Sequence, residues 1–289
     1  MADAPIYIHA GAHRTGTSSF QLCLHENRQV LHKKGWTTAY PGRDGIPSGE
    51  LALRLPSGTR FDADAAAAKA SNTLDGYRDG RPVILSEENI TGRMFNFMQG
   101  QFYPFAEDRC AALRAAWTGP VAHLLLVVRP YDQLFVSAFR KRAEDNAMPD
   151  FSEVRDSYLN IDRGWPDLVK GMYETLRPDV MTVVPYASRG TNVDLLRRLV
   201  PDLPADGLVE PVRVVNRSAT DAALMVLQEH YRAEKTLSRA EWTQVIDAYA
   251  DDRELRGVAQ FSDAEKADLA ARYASDLKQI EWMPNIILG

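Results

Sequence analysis

The sequence predicts an α/β fold: three layers, with a central parallel sheet covered by helices on both faces and a helical last third. Three observations carry that expectation. Short apolar, β-branched runs alternate with helical patterns over the first two-thirds of the chain. The strongest of them, Val121 to Val128, is apolar almost throughout and reads as a central strand buried on both faces. After about residue 190 the apolar residues recur at helical spacing.

The elements follow in order. Pro5 to Ala10 is a short apolar run and reads as a buried strand. A glycine-containing stretch, 11–19, leads into Phe20, Leu22, Leu24, Val30 and Leu31 at roughly helical spacing. Residues 36–40 suggest a short strand, and 41–60, rich in Gly, Pro and Ser, a loop. Asp62 to Tyr77 holds an alanine run with Asp at its start and reads as a helix. Pro82 to Ser86 is a second strand, and Pro104 to Trp117 a helix. Val121 to Val128 ends at Arg129-Pro130, and a helical pattern resumes at Tyr131. Trp165 to Leu176 is a helix and Val180 to Val184 a strand. Helices are expected over 192–200, 218–234, 239–250 and 262–279. No linker divides the chain, so residues 1–289 are read as one domain, with 200–289 a mostly helical extension or cap.

Composition narrows the function classes. The chain of 289 residues is 45% hydrophobic and 25% charged, enough for a sizeable core. Its net charge of −5 offers no global attraction to nucleic acid or an anionic membrane, so a nucleotide site would need a local basic pocket. The two cysteines, Cys23 and Cys110, form neither a disulfide framework nor a metal spacing, which suits a reducing cytoplasm. No basic leader and no long apolar run indicates a signal peptide or membrane span. His9, His13, His25 and His32 follow no standard ligand spacing, so no metal site is expected.

The stretch Gly11-Ala12-His13-Arg14-Thr15-Gly16-Thr17-Ser18-Ser19 joins a strand to a helix. Such a loop points unpaired backbone N–H groups and the helix dipole at an anion. Gly11 and Gly16 let the backbone wrap a phosphate; Thr17 and Ser18 add hydroxyls and Arg14 adds a charge. Gly11 and Gly16 have the separation of a Walker A loop, but Thr17 stands where that motif has its lysine, which argues against a nucleoside triphosphatase.

The string His13-Arg14-Thr15-Gly16-Thr17-Ser18-Ser19-Phe20-Gln21 resembles the 5′-phosphosulfate-binding loop of sulfotransferases that use 3′-phosphoadenosine-5′-phosphosulfate (PAPS). That loop reads Lys-x-Gly-Thr at its core, and the match is close to the version in bacterial members; the departure is Arg14 where lysine is usual. The resemblance implies a P-loop NTPase-like fold, PAPS as donor with 3′,5′-ADP as product, and no metal. It implies that Gly11, Ala12, His13, Arg14, Thr15, Gly16, Thr17 and Ser18 bind the donor, with Arg14 gripping the sulfate end and offsetting charge on the bridging oxygen. It further implies that the 3′-phosphate is held by an arginine at a strand end and a serine eight residues on. Arg129 follows the strongest strand and Ser137 lies eight positions later. A charge ending a buried strand sits at the sheet's carboxyl edge, where open α/β folds bind ligands, and arginine pairs bidentately with phosphate. Arg140, Lys141 and Arg142 can deepen the basic pocket or form a solvated helix face.

Transfer needs a base for the acceptor's proton. Ser86-Glu87-Glu88-Asn89 follows the second strand, and Glu88-Asn89 resembles the pair found there in bacterial relatives, which favours Glu88 over Glu87; His13 is the other candidate. Val215-Asn216-Arg217-Ser218 resembles a family string that opens a late helix, with Ser218 as cap and Arg217 able to reach the nucleotide or acceptor. Phe95, Phe97, Phe102, Tyr103 and Phe105 either line an acceptor pocket or pack as core, and core is the commoner fate of such residues. The expected activity is in-line sulfuryl transfer to a hydroxyl or amine of a small-molecule or carbohydrate acceptor. Two alternatives stay open: a small-molecule kinase with an atypical P-loop, and a non-catalytic nucleotide-binding protein on the same fold. The sequence does not decide the oligomeric state.

Overall fold

A computed structural model describes residues 3–43, 46–58, 61–212 and 218–289. Its centre is a sheet of six parallel strands: β1 (Ile6–His9), β2 (Thr37–Ala39), β5 (Val83–Ser86), β6 (Val121–Val128), β7 (Val180–Pro185) and β8 (Ile286–Leu288). They lie in the order β2-β5-β1-β6-β7-β8. From β1 the chain runs outward to β2, then returns through β5 and crosses to β6 on the other side of β1. The connections therefore diverge on either side of β1, and a crevice opens at the carboxyl ends there.

The strand β6 shows why both faces are covered. Leu124, Leu126 and Val128 enter one core, with Ile6, Ile8, Val83 and Leu85; Leu125 and Val127 enter the other, with Ile84 and Val184. Alternation of side chains across a strand requires this split where consecutive residues are apolar, as over Leu124 to Val128. The second core is closed by α1 (Thr17–Lys33) and α7 (Asn192–Leu199) through Phe20, Leu24, Leu31, Leu195 and Leu199. The first is closed by α2 (Ala63–Leu74), α3 (Ala106–Ala116) and α6 (Trp165–Leu176). It also contains side chains of α4 (Tyr131–Asp145), α5 (Phe151–Leu159), α8 (Asp221–Arg232), α9 (Arg239–Ala248) and α10 (Asp263–Glu281). Among the described residues no helix is long and apolar enough to cross a membrane.

Four features depart from the sequence reading. Residues 41–60 contain an antiparallel hairpin, β3 (Pro41–Arg43) with β4 (Ile46–Glu50). Its glycines serve close approach rather than looseness: a Cβ on Gly49 would lie 2.4 Å from the Pro41 carbonyl, and one on Gly42 2.4 Å from the Gly49 carbonyl oxygen. The helix α5 was not expected, although Glu153 accepts from the Asp150 N–H at 2.8 Å in the manner of a helix start. The helical last third ends in β8, which pairs with β7 through Met181 and Ile286. Finally, α8 is capped not by Ser218 but by Thr220, whose side chain accepts from the Ala223 N–H. Arg217, expected near the ligand, lies outside the described residues.

Candidate functional site

The carboxyl ends of β1, β5, β6 and β7 face one cleft of about 530 Å³. It is lined by residues from each: His13, Arg14 and Gly16 after β1, Glu88 after β5, Arg129 and Ser137 after β6, and Tyr186 after β7. Lys141 of α4, Ser218 and Arg239 of α9 complete the wall. Among the described lining residues, four guanidinium or ammonium groups stand with one carboxylate, Glu88, in a chain of net charge −5, which makes the cleft a local basic pocket.

The first loop is built to present its backbone. A Cβ on Gly11 would stand 2.3 Å from Thr17 Oγ1 and 2.9 Å from His9 Cε1, so no side chain fits there. Gly16 has φ 91°, a left-handed conformation suited to glycine, and a Cβ there would meet the Arg189 guanidinium at 3.0 Å. Thr15 is buried and donates to the Ala12 carbonyl at 2.6 Å, fixing the loop from inside; Ala12 is fully buried. Gly11, Ala12 and Thr15 therefore lie behind the loop, while His13, Arg14, Gly16, Thr17 and Ser18 line the cleft. Helix α1 starts with no side-chain cap and no acidic residue in its first turn. Its first N–H groups and the dipole together favour an anion.

Arg14 departs from ordinary geometry. It is a non-glycine residue at φ 63°, a conformation that costs of order 1 kcal/mol or more and must be held by its surroundings. Arg129 supplies that restraint, donating to the Arg14 carbonyl at 2.7 Å. The Arg129 guanidinium also lies over the Tyr186 ring, 4.8 Å from its centre. The Arg14 side chain crosses to the second motif: Nε donates to Ser137 Oγ at 2.8 Å and a terminal nitrogen to Ser218 Oγ at 3.2 Å. Burial lowers the Arg14 pKa from the ordinary arginine value, while the Glu144 and Glu88 carboxylates oppose the shift. The strand end bearing Arg129 is itself anchored. Trp165 Nε1 donates to the Arg129 carbonyl at 3.1 Å and Tyr273 Oη to the Val128 carbonyl at 3.2 Å.

The two glutamates after β5 separate by role. Glu87 is 4% exposed, and its carboxylate accepts from the backbone and side-chain nitrogens of Asn89, each at 2.8 Å. Glu88 opens onto the cleft, as does His13, whose ring stacks 6.3 Å from that of Tyr103. Phe97, Phe102 and Tyr103 are fully buried among Tyr131, Phe135 and Trp165, and so belong to the core; Phe95 is 40% exposed. Met94 alone of that stretch lines the cleft. Arg140 pairs with Asp221 and the Ala219 carbonyl, and Lys141 lies 2.6 Å from Glu144, so of these two basic residues on α4 only Lys141 reaches the cleft.

Sequence reasoning missed Tyr186, Arg189, Met94 and Arg239. Tyr186 and Arg189 follow a predicted strand and had the same signal as Arg129: their place at a carboxyl edge. Nothing local marks Arg239, which follows an ordinary helix cap at Ser238.

His9 sits beneath the loop, 1% exposed, sharing a hydrogen bond of 2.9 Å with Ser86 Oγ. Burial, and secondarily Arg189, lowers its pKa to about 3. The unfolded chain therefore binds a proton that the folded chain refuses. Stability should fall as pH drops from about 6.5 towards about 3, with a slope from this residue approaching ~1.4 kcal/mol per pH unit. Urea denaturation of the wild type and His9→Gln across that range checks it; the variant should show the shallower slope.

No protein-family model matches the chain, and no curated protein sequence matches it. Among solved structures, the chain is similar to a sulfotransferase from Alicyclobacillus acidocaldarius, at 13% identity and a TM-score of 0.44, over 88% of this chain and 98% of that one.

Proposed function

We propose that this chain is a sulfotransferase that moves a sulfuryl group from PAPS to a hydroxyl or amine of a small-molecule or carbohydrate acceptor. One observation carries the reading: Arg14 of the first loop and Ser137 of the second motif, 123 residues apart in sequence, are hydrogen-bonded at 2.8 Å. Two anion-binding motifs of different origin thus open onto one cleft. Their joint chemistry suits a nucleotide carrying separate anionic groups at its 5′ and 3′ positions. The uncapped start of α1 suits the 5′ end, and Arg129 with Ser137 suits the 3′-phosphate.

The donor supplies an activated sulfuryl group. Glu88 takes the acceptor proton as the acceptor oxygen or nitrogen bonds to sulfur. The bridging S–O bond breaks and its electron pair stays on the phosphate oxygen, leaving 3′,5′-ADP. The N–H groups at the start of α1 stabilise that oxygen without reorganising. Positioning and electrostatics do most of the work, as in phosphoryl transfer. We further read residues 200–289 as an extension of one domain, and a reducing cytoplasm as the setting that suits the buried thiols of Cys23 and Cys110.

The test is ligand-dependent stabilisation. At a hundredfold excess over Kd, 3′,5′-ADP should stabilise the protein by about 2.7 kcal/mol, read as a raised melting temperature, while ATP with magnesium should not. Stabilisation by ATP–magnesium alone would turn the reading to a kinase. Stabilisation by 3′,5′-ADP without single-turnover transfer from sulfate-labelled PAPS to any acceptor would leave a binding protein.

A further inference from the structure

We propose that Tyr273 of α10 is a positioning residue, one whose hydroxyl sets Arg129 and the Tyr186 ring it lies over for the nucleotide; the proposal rests on the sulfotransferase reading above. The strand ends give the first reason. The β6–β7 register stops at Val128 opposite Pro185, and proline has no N–H to add to the ladder. The next residue of each chain segment lines the cleft: Arg129 after Val128, and Tyr186 after Pro185. At this place α10 inserts a phenol. Tyr273 Oη donates to the Val128 carbonyl at 3.2 Å. Burial raises the Tyr273 pKa to about 12, and the Tyr186 backbone N–H, donating to the phenol oxygen, partly offsets that rise. One hydroxyl thus ties together the two strand ends from which the cleft residues leave.

The way Arg129 is held gives the second reason. Its guanidinium donates to the Arg14 carbonyl at 2.7 Å and lies 4.8 Å from the centre of the Tyr186 ring, while its Nε is buried without a hydrogen bond among the described residues. Its aim therefore depends on its own backbone and on where Tyr186 stands. That backbone is pinned from outside the strand. Tyr273 takes the Val128 carbonyl, Trp165 Nε1 takes the Arg129 carbonyl at 3.1 Å, and Asp276, three residues beyond Tyr273 on α10, takes the Tyr131 hydroxyl. Tyr273 differs from the other two in bonding to both strand ends. A hydroxyl suits that place because it donates and accepts at once. Without it the Val128 carbonyl and the Tyr186 N–H lose a shared partner, and the strand ends are free to shift with both cleft side chains. The helical last third of the chain thereby acts on the site from behind the sheet edge.

Tyr273→Phe keeps the ring and removes the hydroxyl. Calorimetric titration with 3′,5′-ADP and with 5′-AMP, on the wild type, Tyr273→Phe, Arg129→Ala and the double variant, tests the proposal. Tyr273→Phe should lose roughly three- to tenfold in affinity for 3′,5′-ADP, the worth of one neutral hydrogen bond. It should lose less for 5′-AMP, which lacks the phosphate that Arg129 meets. In the Arg129→Ala background the same substitution should change 3′,5′-ADP affinity by less than about twofold, because Tyr273 acts through Arg129. A tyrosine that merely supports the fold would cost the same affinity in both backgrounds. Equal losses in the two backgrounds, equal losses for the two ligands, or an unchanged affinity in Tyr273→Phe would each overturn the proposal. A wild type that binds 5′-AMP as tightly as 3′,5′-ADP would instead sink the sulfotransferase reading, and the proposal with it.

Discussion

Glu88→Gln should lower the single-turnover rate of sulfuryl transfer by about 10²- to 10⁴-fold while leaving the affinity for 3′,5′-ADP nearly unchanged. The substitution keeps the shape of the side chain and removes the oxygen that accepts a proton. Glu88 is suited to the role because it lines the same cleft as His13 and the basic residues. Its neighbour is not: the Glu87 carboxylate is buried and spent on Asn89. Glu87→Gln should accordingly act on the turn after β5 and hence on stability. Rapid-quench measurement with labelled PAPS separates the two. A fully active Glu88→Gln would pass the proton to His13, and His13→Gln would then show the large loss.

Arg129→Ala should weaken 3′,5′-ADP binding by roughly a hundredfold or more, because two contributions fall together. One is the charged contact to the 3′-phosphate, of the order of 1.5–3 kcal/mol. The other is the bond to the Arg14 carbonyl, which holds a non-glycine residue at φ 63°. Without it the loop loses the restraint on a conformation that costs of order 1 kcal/mol or more. Binding of 5′-AMP should therefore fall too, by less, since the loop also shapes the 5′ end. Arg129→Lys should recover part of the charge term and little of the loop term, because a single ammonium cannot bond the carbonyl, stack on Tyr186 and face the ligand at once. Calorimetric titration reads both. Loss confined to 3′,5′-ADP would show that Arg129 does not brace the loop.

Much of this architecture was legible because its signals are local. The run Val121 to Val128 is apolar on both faces, and only a strand covered on both sides buries it. The alanine helix announces itself by Asp62, whose side chain accepts from the Ala65 N–H at 3.0 Å. The glycine loop announces itself by spacing, since Gly11 and Gly16 stand where a side chain would collide or strain the backbone. The hairpin over 41–50 was hidden because its glycines, read as loop residues, serve close backbone approach. The strand Ile286–Leu288 was hidden because three residues carry no periodicity.

By itself the sequence determined the order of the sheet's first five strands and of the α-helices other than α5, and it placed the glycine loop, Arg129 with Ser137 and the carboxylate pair at element ends. Each is a property of neighbouring residues: periodicity, chain stiffness, unpaired N–H groups. What it left open was which atoms of those motifs meet. Only the tertiary structure turned Arg14 from its own loop towards Ser137, set Arg129 on the Arg14 carbonyl, buried Glu87 while leaving Glu88 half-buried at the cleft, and brought Arg239 to the cleft from a helix far along the chain. The reason is that hydrogen-bond direction and burial depend on what the rest of the chain packs alongside, and that packing is decided only when the whole sheet assembles.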